Sequence, residues 1–379
     1  GESAILKMLM NVPDGGAVDI LSAELRAGEL RAEGSAKLAA QYAASNEISG
    51  VQFEEATLNR LLYGDNDFGA TLRPDAEGGM SITVKGESLD LRPYLEDLFG
   101  QETGTLPPFV LDFDVQRLIT RANQQITGAR ARVVNTPDRL ESAYLEGALP
   151  SGKALRVVLE PNGQKRRLRV ISDDAGSLAR AFDIYDNAIG GELHMEVDLH
   201  DDEEPFRVSG GVDVNDYRVV NAPVLAQLLN IASLTGILES LQEDGIAFSV
   251  LRFPFEMSED VVVIKDARAS GTSLGVNADG QIDLAKNEAN IHGTIVPAYA
   301  INSVLGNIPI IGEVLVGGEG EGIFAATYTV RGPLDEPVMT VNPLAALAPG
   351  FLRNLFSVFD RYAVTQEETV PPSGSDSSR

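Results

Sequence analysis

Residues 253–295 decide the fold class, and they read FPFEMSEDVVVIKDARASGTSLGVNADGQIDLAKNEANIHGTI. The stretch divides into short apolar or alternating runs, separated by turn-forming residues such as Ala278–Gly280. Short strands at nearly even spacing are typical of an antiparallel meander, and few helical intervals are long enough to connect parallel strands. The sequence therefore disfavours a doubly wound α/β fold. The predicted strands are Phe253–Met257, Val261–Ile264, Ala267–Ser270, Leu274–Asn277, Gln281–Leu284 and Ala289–Ile295.

The region that follows, residues 293–356, contains further strand-like runs and then predicts helices. Asn342-Pro343 supplies an N-cap residue followed by Pro at the first helical position. Beyond it we predict amphipathic helices near the C-terminus, with Arg353 and Arg361 beside an apolar stripe. The stripe consists of Leu352, Leu355, Phe356 and Phe359. It is suited to closing the end of the sheet or touching a membrane, and docking onto its own sheet is the alternative.

Upstream of the meander, alternating strands are mixed with short helices. Residues 154–171 read as a hairpin around Asn162-Gly163, a pair that favours left-handed turn conformations. Ser172–Phe182 begins with good capping residues and predicts a short helix. Residues 222–241 have apolar positions at i, i+3, i+4 and i+7, which predicts a helix that kinks or ends at Thr235-Gly236.

We divide the chain into four segments on this basis. Residues 1–106 are an N-terminal β segment that continues an upstream, repeat-like sheet, and residues 107–221 are a middle β segment with a short helix. Residues 222–365 form the C-terminal folded segment. Residues 366–379 are polar, rich in Pro and Ser and without periodicity, and they are predicted to be disordered.

Composition excludes several classes of function. The 379 residues carry a formal net charge of −26, which repels nucleic acid from most of the surface. Cysteine is absent, so disulfides and thiolate metal sites are excluded. No apolar run is long enough for a membrane span, and no signal peptide is visible. Because the sequence begins with Gly1, we expect it to be part of a longer protein whose signal or anchor lies upstream.

One catalytic pattern occurs, in Gly271–Gly275, which matches G-x-S-x-G around Ser273. Asp279, Asp283 and His292 follow it in the order of a serine hydrolase triad. A nucleophilic Ser of this kind requires a strand-to-helix turn, whereas a strand is predicted after Ser273. We therefore predict that the protein is not an enzyme.

The remaining polar clusters do not predict a metal or cofactor site. His200 stands before four acidic residues and a Pro, a pattern more typical of a hairpin tip than of a metal site. Asp173 and Asp174 are adjacent and point apart, and capping of the following helix accounts for one of them. The Gly-rich stretch Gly317–Gly322 contains two Glu and no Lys, so it does not fit a phosphate.

The collective signal is a set of apolar strand faces with little helix to cover them. Two sheets bury each other as a sandwich, or one long sheet curls and leaves an apolar trough. In the trough, one face of each strand forms the lining, and in the sandwich the same side chains form a closed core. The candidate lining residues are Val262, Ile264, Ile282, Leu284, Ile291, Ile295, Tyr328 and Val330.

Several segments, in the same order, resemble the C-terminal region of large AsmA-like proteins of the YhdP type, in their alphaproteobacterial style. The similarity is densest over Arg169–Phe356 and weaker before it. The segments are Ser172–Gly176, Tyr185–Gly191, Asn221–Ala226, Ala232–Gly236, Gly293–Pro297, Ile308–Gly312, Thr327–Pro333 and Val341–Leu344.

The resemblance implies a fold and a function. Members of this family are similar to bridge-like lipid transfer proteins, anchored in the inner membrane by an N-terminal helix and reaching across the periplasm. A long, curled antiparallel sheet presents an apolar groove along which phospholipid moves towards the outer membrane. The sequence lacks the N-terminal anchor, as expected of a C-terminal part, and the family has no active site to transfer.

We therefore expect a mainly β, elongated, curled sheet with a few helices that conducts phospholipid between the two membranes on the periplasmic side of the envelope. Its expected partners are phospholipid acyl chains, the inner membrane through the upstream anchor, and the outer membrane through the C-terminal helix. No cofactor and no nucleic acid are expected. The alternative is an envelope scaffold or outer-membrane assembly factor, with a closed core and an acidic surface that binds proteins.

Overall fold

The computed structural model describes residues 4–11, 18–42, 48–75, 78–93, 107–120, 124–231, 235–242, 244–297 and 326–342. The chain forms two compact units, Gly1–Phe206 and Arg207–Arg379. In both units β-strands dominate and the described helices are short, which confirms the predicted fold class. The amphipathic helices predicted near the C-terminus, with Leu352, Leu355, Phe356 and Phe359, lie outside the described residues.

The first unit is a sheet in which neighbours in sequence are neighbours in space. It contains one fully described helix, α1 (Ala175–Ala181), which has about two turns. Its strands are β1 (Ala4–Asn11), β2 (Val18–Ala27), β3 (Leu30–Tyr42), β4 (Ile48–Tyr63), β5 (Asn66–Pro74), β6 (Met80–Asp90), β7 (Phe109–Ile119), β8 (Gln125–Asn135), β9 (Leu140–Ala148), β10 (Ala154–Asn162), β11 (Lys165–Ser172) and β12 (Ala188–His200).

The prediction of a purely antiparallel sheet is wrong at one place, because β6 and β7 are parallel. Met80 pairs with Phe109 and Asp90 pairs with Ile119, so both strands run in the same direction. Parallel neighbours require a crossover of about a dozen residues or more, and residues 91–108 supply it. The other described pairs of this unit are antiparallel, including the predicted β10–β11 hairpin, where Asn162 pairs with Lys165 and Gly163 adopts a φ of 67°.

The second unit is an antiparallel sheet with two helices inserted after its first strand. Its elements are β13 (Arg207–Val219), α2 (Pro223–Ile231), α3 (Thr235–Gln242), β14 (Ile246–Ser258), β15 (Val261–Ser270), β16 (Leu274–Asp283), β17 (Glu288–Pro297), β18 (Ala326–Pro333) and β19 (Val338–Asn342). The helical periodicity of residues 222–241 is thus confirmed as two helices.

The meander has fewer and longer strands than predicted. Val261–Ile264 and Ala267–Ser270 are both parts of β15, and the predicted turn at Ala278–Gly280 lies within β16. A β-bulge explains the first error: Asp266 has a φ of 60°, and the pairing of β15 shifts between Ile264 and Ala267. Polar and Gly residues therefore mark irregular ladder positions here rather than chain reversals.

The two faces of the first sheet differ in chemistry. Residues that pair directly lie on the same face, and one such cross-strand row is entirely apolar. The row consists of Val84, Phe113, Ala131, Leu145, Val157, Val170 and Met195. The opposite face carries cross-strand ion pairs, including Arg132 with Asp112 at 2.8 Å and Arg167 with Asp198 at 2.7 Å.

Helix α1 covers part of the apolar face of the first unit. Leu178 and Ala181 of the helix belong to one buried cluster with Leu118, Ile126 and Leu155 of the sheet. The helix begins at the N-cap Asp174, whose carboxylate accepts a hydrogen bond of 2.8 Å from the backbone amide of Ser177. This confirms that one of the adjacent aspartates is a cap. The first unit therefore contains a closed hydrophobic core.

Candidate functional site

The candidate lining residues, all except Leu284, lie on one face of β15–β18. Residues that pair in the ladder share a face, as do residues two positions apart in a strand. Four cross-strand rows follow from the register, and together they form the apolar face of the second unit. The first row is Met257, Val262, Ile282, Ala289 and Gly332; the second is Phe255, Ile264, Gly280, Ile291, Val330 and Met339; the third is Ala267, Ala278, Gly293, Tyr328 and Val341; the fourth is Leu251, Ala269, Val276, Ile295 and Ala326.

Burial differs from residue to residue along the apolar face. Val262 and Ile282 of the first row are half-buried, and so is Ile291 of the second. In the fourth row Ile295 is 0% exposed and Ala326 is 1% exposed. Leu284 lies in the turn after β16, where it is 51% exposed. The apolar face is therefore partly accessible at Val262, Ile282 and Ile291, and it is buried at other positions of the same rows, such as Ile264.

Two helices contact the sheet of the second unit. Helix α2 contacts β19, and α3 contacts both α2 and β14. Leu229 of α2 and Leu241 of α3 are 0% and 1% exposed, which shows that both helices bury their apolar sides. In sequence, the two helices lie between the end of β13 and the start of β14. Val219 pairs with Ile246 at this end of the two strands, which is the end nearer to the fourth row. One end of the apolar face is therefore capped.

The polar face, on the other side of β16–β19, has the opposite chemistry. One of its cross-strand rows consists of Asp279, His292, Thr329 and Thr340. Glu288, Asn290 and Arg331 also lie on the polar face. The alternation of apolar and polar residues thus gives the sheet one face suited to hydrocarbon and one suited to water.

Tyr328 is the polar exception on the apolar face. It is 6% exposed, and its hydroxyl donates a hydrogen bond of 2.8 Å to the backbone carbonyl of Asn277. Burial raises the pKa of the Tyr328 hydroxyl, and the Asp279 carboxylate contributes in the same direction. The hydroxyl therefore stays protonated and is a permanent hydrogen-bond donor at neutral pH. Sequence reasoning placed Tyr328 on this face but missed this bond, which no sequence pattern indicates.

Ser273, Asp279 and His292 do not have the geometry of a serine hydrolase triad. Ser273 is exposed and precedes a strand, β16, where a nucleophilic Ser requires a helix. Asp279 and His292 are cross-strand partners, but Asp279 is six residues along the strand from Ser273, about 20 Å at the usual rise. The Asp279 carboxylate instead accepts a hydrogen bond of 2.7 Å from the backbone amide of Asp266. The three residues do not converge.

The acidic turn after His200 is more ordered than the predicted hairpin tip. The imidazole Nδ1 of His200 lies 3.1 Å from the Glu203 carboxylate. Asp201 accepts two hydrogen bonds, of 2.8 and 2.7 Å, from Arg166 and one of 3.0 Å from Arg139. Arg166 occupies an apolar-face position next to Leu168, and a charged residue in such a register is the sequence signal that could have predicted a buried ion pair.

No group of three or more His, Asp or Glu side chains in the described ranges is arranged to hold a metal ion. None of the helices in the described part of the chain has the length and apolarity of a membrane span.

Comparison with known proteins shows which family part of this chain resembles. Neither the curated proteins nor the solved structures gave a match to the chain. The family model described as YhdP protein matches residues 168–339, which extend from within β11 to within β19 and include the apolar face of β14–β19 except Val341. Residues 168–339 are thus similar to the YhdP family.

Proposed function

We propose that the apolar face of β14–β19 binds phospholipid acyl chains, and that this region is a non-enzymatic conduit segment for phospholipid transport between the inner and outer membranes. The observation that supports the proposal most directly is the register. Val262, Ile282 and Ile291, from three different strands, share one face with Tyr328 and Val330 and remain partly accessible.

The physical basis is the cost of exposing hydrocarbon to water. Each methylene group that leaves an apolar environment for water costs about 0.8 kcal/mol, so an acyl chain crosses an aqueous space only at a large free energy. A continuous apolar surface lowers this cost without any covalent step. The polar opposite face, with Asp279 and His292, keeps the same sheet compatible with water.

The location follows from the family and from the proposed activity. The YhdP match indicates association with the cell envelope. We place the region on the periplasmic side, in a full-length protein anchored in the inner membrane by an upstream helix. We assign the apolar stripe of Leu352, Leu355, Phe356 and Phe359 to contact with the outer membrane or closure of the sheet.

An envelope scaffold or assembly factor is the second candidate, and the closed core of the first unit favours it. Leu118, Ile126 and Leu155 show that an apolar face of this protein is able to serve packing alone. If the second unit is used in the same way, its face has no ligand and the acidic surface binds protein partners.

A crosslinking experiment separates the two candidates. A photoreactive amino acid at Ile282, on the apolar face, is expected to crosslink to phospholipid when the full chain is purified from membranes. The same probe at Gln281, the next residue and exposed on the polar face, is the matched control. A second probe at Val262, which is half-buried and pairs with Ile282, tests the neighbouring strand β15.

The outcomes decide between conduit and scaffold. Crosslinks at Ile282 and Val262 without crosslinks at Gln281, together with co-purifying phospholipid in native mass spectrometry, support the conduit. Equal labelling at Gln281 and Ile282, or no phospholipid in either measurement, refutes the conduit and leaves the scaffold.

A further inference from the structure

Three turns lie together at one end of the sheet of the second unit. They are residues 259–260 between β14 and β15, residues 284–287 between β16 and β17, and residues 334–337 between β18 and β19. Helices α2 and α3 connect β13 to β14 at the opposite end of these two strands. We call the three turns the turn cluster.

Hydrogen bonds join the three turns to one another. The amide of Leu284 donates to the carbonyl of Asp260 at 2.8 Å, which joins the first turn to the second. The amide of Leu334 donates to the carbonyl of Asn287 at 3.0 Å, which joins the second turn to the third. The side-chain amide of Asn287 also donates to the Asp335 carboxylate at 3.3 Å. The turn cluster is therefore one connected surface and not three independent loops.

This connected surface exposes two large apolar side chains. Leu284 is 51% exposed and Leu334 is 41% exposed, although hydrogen bonds fix the backbone of both residues. Ile282, two residues before Leu284, and its partner Val262 are half-buried. A single exposed leucine needs no explanation, but two leucines in bonded turns beside accessible apolar residues form a patch, which is typical of a contact surface.

Acidic side chains surround the two leucines. The turn cluster and the strand ends beside it, all of them described, contain one basic residue, Lys286, which is paired with Asp283 at 2.5 Å. Arg207 at the start of β13 and Arg331 on the polar face lie outside these positions. The carboxylates of the turns and strand ends belong to Glu259, Asp260, Asp283, Glu288, Asp335 and Glu336.

This charge discriminates between the candidate occupants of the patch. A second copy of the chain, with its net charge of −26, would bring carboxylates against carboxylates. An anionic bilayer surface would be repelled in the same way. A protein segment with apolar side chains between Lys or Arg residues complements both the leucines and the carboxylates.

From this complementarity we propose that the turn cluster is a docking surface for a cationic, amphipathic protein segment. The apolar side chains of the segment contact Leu284 and Leu334, and its Lys or Arg residues lie against carboxylates such as Asp335 and Glu336. The inference assigns a partner to the end of the sheet opposite α2 and α3, and it does not depend on the binding of acyl chains to the apolar face.

A labelled peptide tests the docking surface on the full chain. The probe is a synthetic amphipathic helical peptide of Leu and Lys residues, and its matched control has Glu in place of every Lys. Fluorescence anisotropy measures the affinity of each peptide. We expect the Lys peptide to bind and the Glu peptide not to bind, because only the first complements the carboxylates.

Substitution of the leucines tests the apolar part of the contact. Leu284→Ser and Leu334→Ser are each expected to weaken binding of the Lys peptide about tenfold, because each removes an apolar side chain from the contact. Leu21 of the first unit is 55% exposed, and Leu21→Ser is the matched control, which is expected to leave the affinity unchanged.

Substitution of the acids tests the electrostatic part. Asp335→Asn combined with Glu336→Gln is expected to weaken binding about threefold to tenfold at low salt and less at high salt. Glu29→Gln combined with Glu33→Gln removes the same charge from exposed positions of the first unit, and little change is expected.

Two results would overturn the docking surface. One is an unchanged affinity of the Lys peptide for the folded Leu284→Ser and Leu334→Ser chains, and the other is equal binding of the Lys and Glu peptides. Flotation with phosphatidylethanolamine vesicles that is lost in the Leu334→Ser chain would assign the leucines to a membrane and overturn it as well.

The inference and the proposed function are tested separately. Circular dichroism checks that each variant is folded, and Leu284→Gln or Leu334→Gln replaces a serine variant that is not, with the same expectation. The peptide measurements contain no lipid, so their failure leaves the crosslinking expected at Ile282 in place. Absence of that crosslinking refutes the conduit and leaves the docking surface in place.

Discussion

Two apolar faces with the same alternation are used differently in this protein. In the first unit, Leu118 and Ile126 are 0% exposed and pack with Leu178 of helix α1. In the second unit, Val262 and Ile282 stay half-buried at the accessible end of the face. The strands of both regions pair in register and present apolar residues to one side. What distinguishes a packed core from an accessible lining is therefore the helix that covers the face, and not the strand pattern.

The largest expected effect of this difference is on stability. Leu118→Ala is expected to lower the free energy of unfolding by about 2–5 kcal/mol, because it leaves a cavity in a fully buried cluster. Ile282→Ala removes a side chain that is partly in water already, and a loss of about 1 kcal/mol is expected. Urea denaturation of both variants measures the comparison, and equal losses would show that the second face is also a closed core.

The next prediction concerns helix α1, which covers part of the apolar face of the first unit. Asp174→Ala removes the N-cap hydrogen bond to Ser177 and is expected to cost about 1 kcal/mol, since an Ala at this position leaves a helix amide unsatisfied. The neighbouring Asp173, which is exposed, provides the control Asp173→Ala with almost no loss. Thermal unfolding followed by circular dichroism compares the two, and a control as destabilising as the cap variant would contradict this account of α1.

A further effect depends on pH. Asp90 accepts hydrogen bonds from the Arg92 side chain at 2.9 and 2.8 Å, and this guanidinium lowers the pKa of the Asp90 carboxyl. A lowered folded-state pKa stabilises the fold above the unfolded-state pKa of about 3.9, and this contribution is lost as the pH falls through the folded-state pKa.

The variant Asp90→Asn lacks this titration. The free energy of unfolding should therefore fall less steeply below about pH 4 in the variant than in the unsubstituted chain. Urea denaturation at room temperature, at several pH values between about 2.5 and 6, gives the free energy of unfolding as a function of pH for both proteins. Parallel acid limbs in the two proteins would show that Asp90 does not contribute to acid sensitivity.

The smallest effect is expected on the polar face of the first unit. The Nη1 of Arg132 donates to both carboxylate oxygens of Asp112, at 2.9 and 2.8 Å, but the two side chains are 59% and 41% exposed. Exposed pairs contribute about 0.2–1 kcal/mol and are screened by salt. A double-mutant cycle with Arg132→Ala and Asp112→Ala is expected to give a coupling energy in that range, and a coupling that does not change with salt would contradict the assignment.

Most of the fold was predictable, because the sheet is built from local pairings. The hairpin at Asn162-Gly163 and the cap at Asp174 both follow from the chemistry of short segments. The bulge at Asp266 was read as a turn, because the same residue types favour left-handed backbone in both situations. The parallel pairing of β6 with β7 was not predicted, although residues 91–108 are long enough for a crossover, because length alone does not specify strand direction.

The candidate site was predictable only in part. Period-two alternation assigned Val262, Ile282 and Tyr328 to one face, because direction alternates along any strand. The alternation did not indicate how deeply each side chain is buried or which element covers it, because both depend on residues distant in sequence. The bond from Tyr328 to the Asn277 carbonyl crosses two strands, and no pattern along the chain specifies it.

The parallel β6–β7 pair also has a consequence for the order of folding. In the first unit, the antiparallel neighbours other than β11–β12 are joined by short connections, so their hairpins form early and each adds to an existing edge at small entropic cost. The β6–β7 ladder is different, because residues 91–108 must close a longer loop before Met80 meets Phe109. The first unit is therefore expected to fold as two rapidly formed sets of strands, β1–β6 and β7–β12. The two sets then pair through β6 and β7 in a slower step.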